Sequence, residues 1–148
     1  MKLDQITEEW EKDGTINRNE LDREASTIAV LQNKYMRYMI ESRRHKLNLE
    51  HKYDILKLEK EKFFTGKSDA SAYKPDVPGG KPKMDIKVLK SDVPMWMNAD
   101  KQVFALKAEI EEENLKIECL EKIISSIHYR NNAITNIIAV MRFQSGLS

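Results

Sequence analysis

The chain holds one cysteine, four prolines and five glycines in 148 residues, and it has no long apolar run. Each scarcity excludes something. A single thiol, Cys119, cannot form an intramolecular disulfide, which suits a reducing cytosol. The longest purely apolar run, Ile137 to Met141, is far too short to cross a bilayer, so no membrane partner is expected. The opening Met-Lys-Leu-Asp-Gln leads into acidic residues rather than an apolar segment, so no secretory signal is expected. Sparse Gly and Pro argue against a turn-rich sandwich. With 41% apolar and 33% charged residues, the composition suits elongated helices or a coiled coil. The length suits about one domain and is enough to bury a core.

Catalytic constellations are also missing. No Gly-x-x-x-x-Gly-Lys-Ser/Thr loop or Gly-x-Gly-x-x-Gly turn occurs. Gly79-Gly80-Lys81 sits between prolines, without the strand and helix that a phosphate loop requires. His45, His51 and His128 form no i, i+4 ligand pair, so neither a metal nor another cofactor is expected. Cys119 suits a packed thiol better than a nucleophile, and Glu111-Glu112-Glu113 suits a solvated helix face. The expectation is a protein that is not an enzyme.

What is present is segregated charge. The net charge is only +1. Residues 1–33 nevertheless carry 4 basic and 8 acidic side chains, residues 34–90 carry 15 and 8, and residues 91–148 carry 6 and 8. A local excess of this kind points to a polyanion surface between Lys34 and Lys67.

Leu3, Ile6 and Trp10 fall at helical spacing before Asp13-Gly14 breaks the pattern. Asn17 or Asn19 can cap a second helix, which then meets no Gly or Pro before Phe64. A continuous helix of that span would run roughly 70 Å. A 3.5-residue repeat from Leu21 to Phe63 finds apolar or aromatic residues at nine of thirteen positions, with Gln32, Ser42, Lys46 and Lys60 as exceptions. Residues 67–98 contain all four prolines together with Gly79 and Gly80, and read as a basic loop or arm. Met84, Ile86 and Val88 alternate with polar residues there, a pattern compatible with one short strand.

Asn98 or Asp100 can cap the last helix. Its heptad seam is stronger: Val103, Leu106, Ile110, Ile117, Leu120, Ile124, Ile127, Ile134, Ile138 and Met141, interrupted by Glu113 and Asn131. Such a seam predicts helix packing and, through Asn131, a fixed register, so these residues are the oligomerisation candidates. Breaks are expected near Ser125-Ser126 or Asn131-Asn132, and Gly146 is placed to end the helix. The expected architecture is mainly α, with long helices carrying coiled-coil-like seams, joined by the Pro/Gly-rich loop and assembled into a homo-oligomer. Its regions are 1–66, 67–98 and 99–148.

The basic stretch has two readings. Lys57-Leu-Glu-Lys-Glu-Lys can be a soluble face laced with weak ion pairs. Alternatively, Arg43, Arg44, Lys46, Lys52, Lys57, Lys60, Lys62 and Lys67 follow phosphates while Phe64 stacks on bases, as in sequence-tolerant single-strand binders. Phe63 either closes the seam or joins Phe64. Trp96, in Pro-Met-Trp-Met, is expected to plug onto the helices.

Several short features also resemble the UvsY family of T4-like phages, the recombination mediator proteins. They are Met1-x-Leu3 with Glu8-Glu9 and Asp13, then Leu21 with Glu24-Ala25, and the corner Phe63-Phe64-Thr65-Gly66-Lys67. Arg130-x-x-Ala133-Ile134-x-x-Ile137 and Met141-Arg142-Phe143-x-x-Gly146 complete the set. The resemblance implies non-specific single-stranded DNA binding and homo-oligomeric rings. It also implies help for a RecA-like recombinase in displacing a single-strand DNA-binding protein, in the cytoplasm of an infected bacterial host. The family's Lys-x-Arg motif has its second basic position at Lys60, while the first falls on Leu58 beside Lys57. The competing expectation is a coiled-coil scaffold or prefoldin-like holdase that does not bind DNA.

Overall fold

The computed structural model describes residues 1–66 and 91–146. Among these residues it contains six helices and no strand: α1 (Leu3–Asp13), α2 (Leu21–Ser26), α3 (Ile28–Phe64), α4 (Val93–Ala99), α5 (Lys101–His128) and α6 (Arg130–Gln144). The mainly α architecture follows from the helical spacing of the apolar residues and the scarcity of breakers. The short strand expected at 84–88 lies outside the described residues.

The long helix is interrupted once. Thr27 turns its hydroxyl back to the Glu24 carbonyl at 3.1 Å, and α3 restarts at Ile28. Such back-bonding disturbs the helical ladder. Neither asparagine caps α2 as expected. Instead Asn17 Oδ1 accepts from the Asn19 amide at 3.0 Å in the preceding turn. At the other end, Gly66 adopts φ 76°, the left-handed conformation that stops a helix, and Gly146 does the same after α6 with φ 75°.

The chain divides into two compact units. The first comprises Met1–His45 and Glu112–Ser148. Its core is Ile6, Tyr35, Leu120, Ile123 and Ile127, with Trp10, Leu31, Tyr38 and Ile124 packed around it. Arg130 is 4% exposed here. Its guanidinium donates to Glu24 at 2.6 Å and to the carbonyl of Gly14 at 3.2 Å, holding the start of α6 to α2 and to the end of α1. This explains where the last helix breaks. It does so at Tyr129, between the two expected points, which brings Arg130 inward and leaves Asn131 exposed.

The second unit is Lys46–Glu111. Leu49 and Val103 are buried in it, and Val93 and Met97 form a small cluster with Phe64 and Trp96. Asp100 caps α5, its Oδ1 accepting from the amides of Gln102 at 2.9 Å and Val103 at 3.2 Å.

Helix α1 is fastened to α3 by a polar network in the first unit. Lys34 reaches Asp13 at 2.6 Å and Glu9 at 3.0 Å. The hydroxyls of Tyr35 and Tyr38 donate to Asp13 and Glu9 respectively. The Lys34 ammonium and then the Tyr38 hydroxyl hold Glu9 below its usual value of 4.5. Burial pushes Asp13 up, but hydrogen bonds from Lys34 and Tyr35 outweigh it and leave the group below 3.8. Carboxylates with depressed folded values stabilise above their unfolded values, and that contribution disappears as pH falls through the folded ones. Helix α1 is therefore expected to loosen below about pH 4. Trp10, edge-on to Tyr35 at 5.5 Å, reports the change by fluorescence. Asp13→Asn should flatten the acid limb, and a profile identical to that of the unaltered protein would rule the network out as its origin.

Candidate nucleic-acid interface

The basic side chains of α3 fall into three environments. In the first unit, Arg37 and Arg44 are exposed, and Lys34 is spent on Glu9 and Asp13. Arg43 meets Glu121 at 3.2 Å with both side chains 55% exposed. A surface pair of this kind contributes little, so the guanidinium can exchange its carboxylate for a phosphate. Arg37 belongs with these residues by exposure although it was not among the candidates. Its position off the seam was the available signal.

In the second unit, Lys52, Lys57 and Lys62 are exposed. They are spaced five residues apart, and each step rotates about 140° around a helix, so they do not form a single stripe. Lys62 shares its side of α3 with exposed Leu58, Ile55 and His51 at helical spacing. Lys46 is half-buried and 3.8 Å from Glu50.

Two candidates lie in other surroundings than the sequence reading gave them. Lys60 is 7% exposed, and its ammonium is 2.9 Å from Asp100 Oδ2. It occupies a seam position, and the seam faces inward. Burial pushes the Asp100 carboxyl up, but Lys60 and then the Val103 amide bring it below its usual range. Phe64 is half-buried against Val93 and Met97, with its ring 6.2 Å from Trp96 and 5.7 Å from Phe63. It is part of a packed aromatic group rather than a separate platform, and Trp96 is the plug that its sequence context predicts. Lys67 lies outside the described residues.

Seam interruption by a charge has the same consequence in α5. Glu113 is buried, and its Oε1 accepts from Lys116 at 2.8 Å and contacts His45 Nδ1 at 2.8 Å. Burial pushes this carboxyl up, yet Lys116 and His45 hold it below its usual range. Among the described residues, no cluster of His, Cys, Asp and Glu could hold a metal ion. No described helix is long and apolar enough to cross a membrane.

Of the oligomerisation candidates, Val103, Leu120, Ile127 and Ile134 are buried within the single chain. Leu106, Ile110, Ile117 and Ile124 are half-buried, and Asn131 is exposed. The outer end of α6 differs. Ile138 and Met141 are exposed together with Val140 and Phe143, the last 84% exposed. Sequence reasoning missed Val140 and Phe143 because neither falls on the 3.5-residue seam.

A family model described as "Recombination, repair and ssDNA binding protein UvsY" matches residues 9–147. The chain belongs to the UvsY family. No curated protein matches it in sequence. A crystal structure of the bacteriophage T4 recombination mediator protein UvsY, lattice type II, is similar with a TM-score of 0.82 at 19% identity over 98% of both chains. The lattice type I structure gives 0.81 at 20% identity, covering 95% of this chain and 98% of that one. At such identity the likeness establishes the fold.

Within this UvsY-type fold, the aromatic group at the end of α3 makes a direct test of Phe64. Phe64→Ala should lower stability by about 2–3 kcal/mol, less than for a fully buried ring. It should also shift Trp96 emission to the red as water reaches the indole. Unchanged emission and denaturation midpoint would show that the ring is not packed in solution.

Proposed function

We propose that the chain binds single-stranded DNA without sequence preference as a homo-oligomer, and promotes loading of a RecA-like recombinase onto DNA coated by a single-strand DNA-binding protein. Membership of the UvsY family carries this reading. The cytoplasm of an infected bacterial host is where it would act, without covalent chemistry of its own.

Exposed Arg44, Lys52 and Lys57, with Arg43 in a weak surface pair, supply phosphate contacts on helical backbone. Among the described residues each subunit offers few such cations, and Lys52 and Lys57 do not share one face of their helix. Repetition around a ring would turn weak patches into firm binding by effective concentration. The uncovered apolar end of α6 is the surface that such an assembly would bury. Recombinase loading would follow if the ring holds the strand in a form that the coating protein grips poorly.

Two measurements follow. Anisotropy of a labelled single-stranded oligonucleotide, titrated at several salt concentrations, should show binding that weakens steeply with salt. Replacing Arg44, Lys52 and Lys57 together by alanine should reduce the magnitude of the log–log salt slope by about 2, at roughly 0.7 per lost phosphate contact. An unaltered slope would exclude these cations as contacts, and no binding at low salt would favour the scaffold reading. Separately, Met141→Lys combined with Phe143→Glu should lower the oligomeric mass in analytical ultracentrifugation while helicity stays the same. An unchanged mass would place assembly elsewhere.

A further inference from the structure

The Lys60–Asp100 pair does more than neutralise a buried charge. Asp100 closes α4, its amide donating to the Met97 carbonyl at 3.1 Å. It also opens α5, with Oδ1 accepting from Gln102 and Val103. The second carboxylate oxygen, Oδ2, is left for Lys60 at 2.9 Å. The side chains are only 9% and 14% exposed, so water screens the pair weakly. Four residues further along α3, Phe64 packs on Val93 and Met97 of α4. The last turns of α3 are thus docked on the α4–α5 corner by one ionic contact and one apolar contact. Those same turns carry exposed Lys57 and Lys62 and the half-buried ring of Phe63.

We infer that Lys60 is a positioning residue rather than a phosphate contact, and that through Asp100 it sets the orientation in which the end of α3 meets a single strand. The inference rests on the DNA-binding reading above. A lysine needed for phosphate would have to leave a carboxylate that also caps a helix, and would leave that carboxylate buried without its counterion. Removing one partner of a buried pair is costly for this reason.

Substitution at Asp100 separates the two roles by the sign of its effect. Asn caps a helix about as well as Asp, so Asp100→Asn removes the charge and keeps the start of α5. If Lys60 positions, Asp100→Asn and Lys60→Met should each weaken single-strand binding by about fivefold or more, the lower end of ordinary coupling between two sites. The salt slope should stay that of the unaltered protein, and the double variant should be no weaker than the worse single. If Lys60 instead contacts phosphate, Asp100→Asn frees it. Binding then tightens, while Lys60→Met weakens binding and reduces the slope by about 0.7. That pattern overturns the inference, as does unchanged affinity in both variants. Circular dichroism accompanies each titration, and should Lys60→Met lose its helicity, Asp100→Asn decides alone. Failure of the unaltered protein to bind at low salt overturns the DNA reading and this inference with it. Binding by the unaltered protein with tighter binding by Asp100→Asn overturns the inference alone.

Discussion

A charge withdrawn from water must find its counterion inside the fold, and the chain is built around that requirement. Among the described residues, four charged side chains are buried: Lys60, Glu113, Lys116 and Arg130. Each interrupts an otherwise apolar packing surface, and each is met by a partner from a different turn or helix. Arg130 takes Glu24 together with carbonyls at the end of α1. Glu113 takes Lys116 and His45. Lys60 takes the cap of α5. Of these contacts, those from Arg130 to Glu24, His45 to Glu113 and Lys60 to Asp100 join different helices. Among the described residues, the second oxygen of Glu113 and the Nε of Arg130 have no hydrogen-bond partner within the protein.

The same requirement explains what was legible in the sequence. Helix existence, the stop at Gly146 and the cap at Asp100 follow from local chemistry, which a single chain displays in full. The buried stripe of α3 was legible too. Tyr35, Ser42, Leu49 and Lys60 all lie on the 3.5-residue seam, and all are buried. Lys60 stood both on the seam, as an interruption, and among the phosphate contacts, and its burial against Asp100 follows the first of these readings. Its partner stands forty residues away, and no local spacing announces such a contact. The break at Tyr129 was hidden for a similar reason. The residue that fixes it, Arg130, depends on Glu24 and Gly14 from the opposite end of the chain.

Much of the long apolar seam in α5 and α6 is consumed within the subunit, since Leu120, Ile127 and Ile134 are buried there. A heptad pattern records that a helix is packed and leaves open whether the neighbour belongs to the same chain. What remains uncovered is concentrated near the end of α6, after the turn that Arg130 fastens. Cations follow a comparable division. In α3, Lys60 on the seam holds the fold together, while Arg44 and Lys57 off it face water.

The docking of α3 on the α4–α5 corner has a consequence for how this chain can vary. Lys60 and Phe64 hold one end of the intervening segment, and Val93, Met97 and Asp100 hold the other. Removing one of the two charges strands the other in the interior, so Lys60 and Asp100 can change only together, whereas Phe64, Val93 and Met97 can each exchange for an apolar side chain of similar volume.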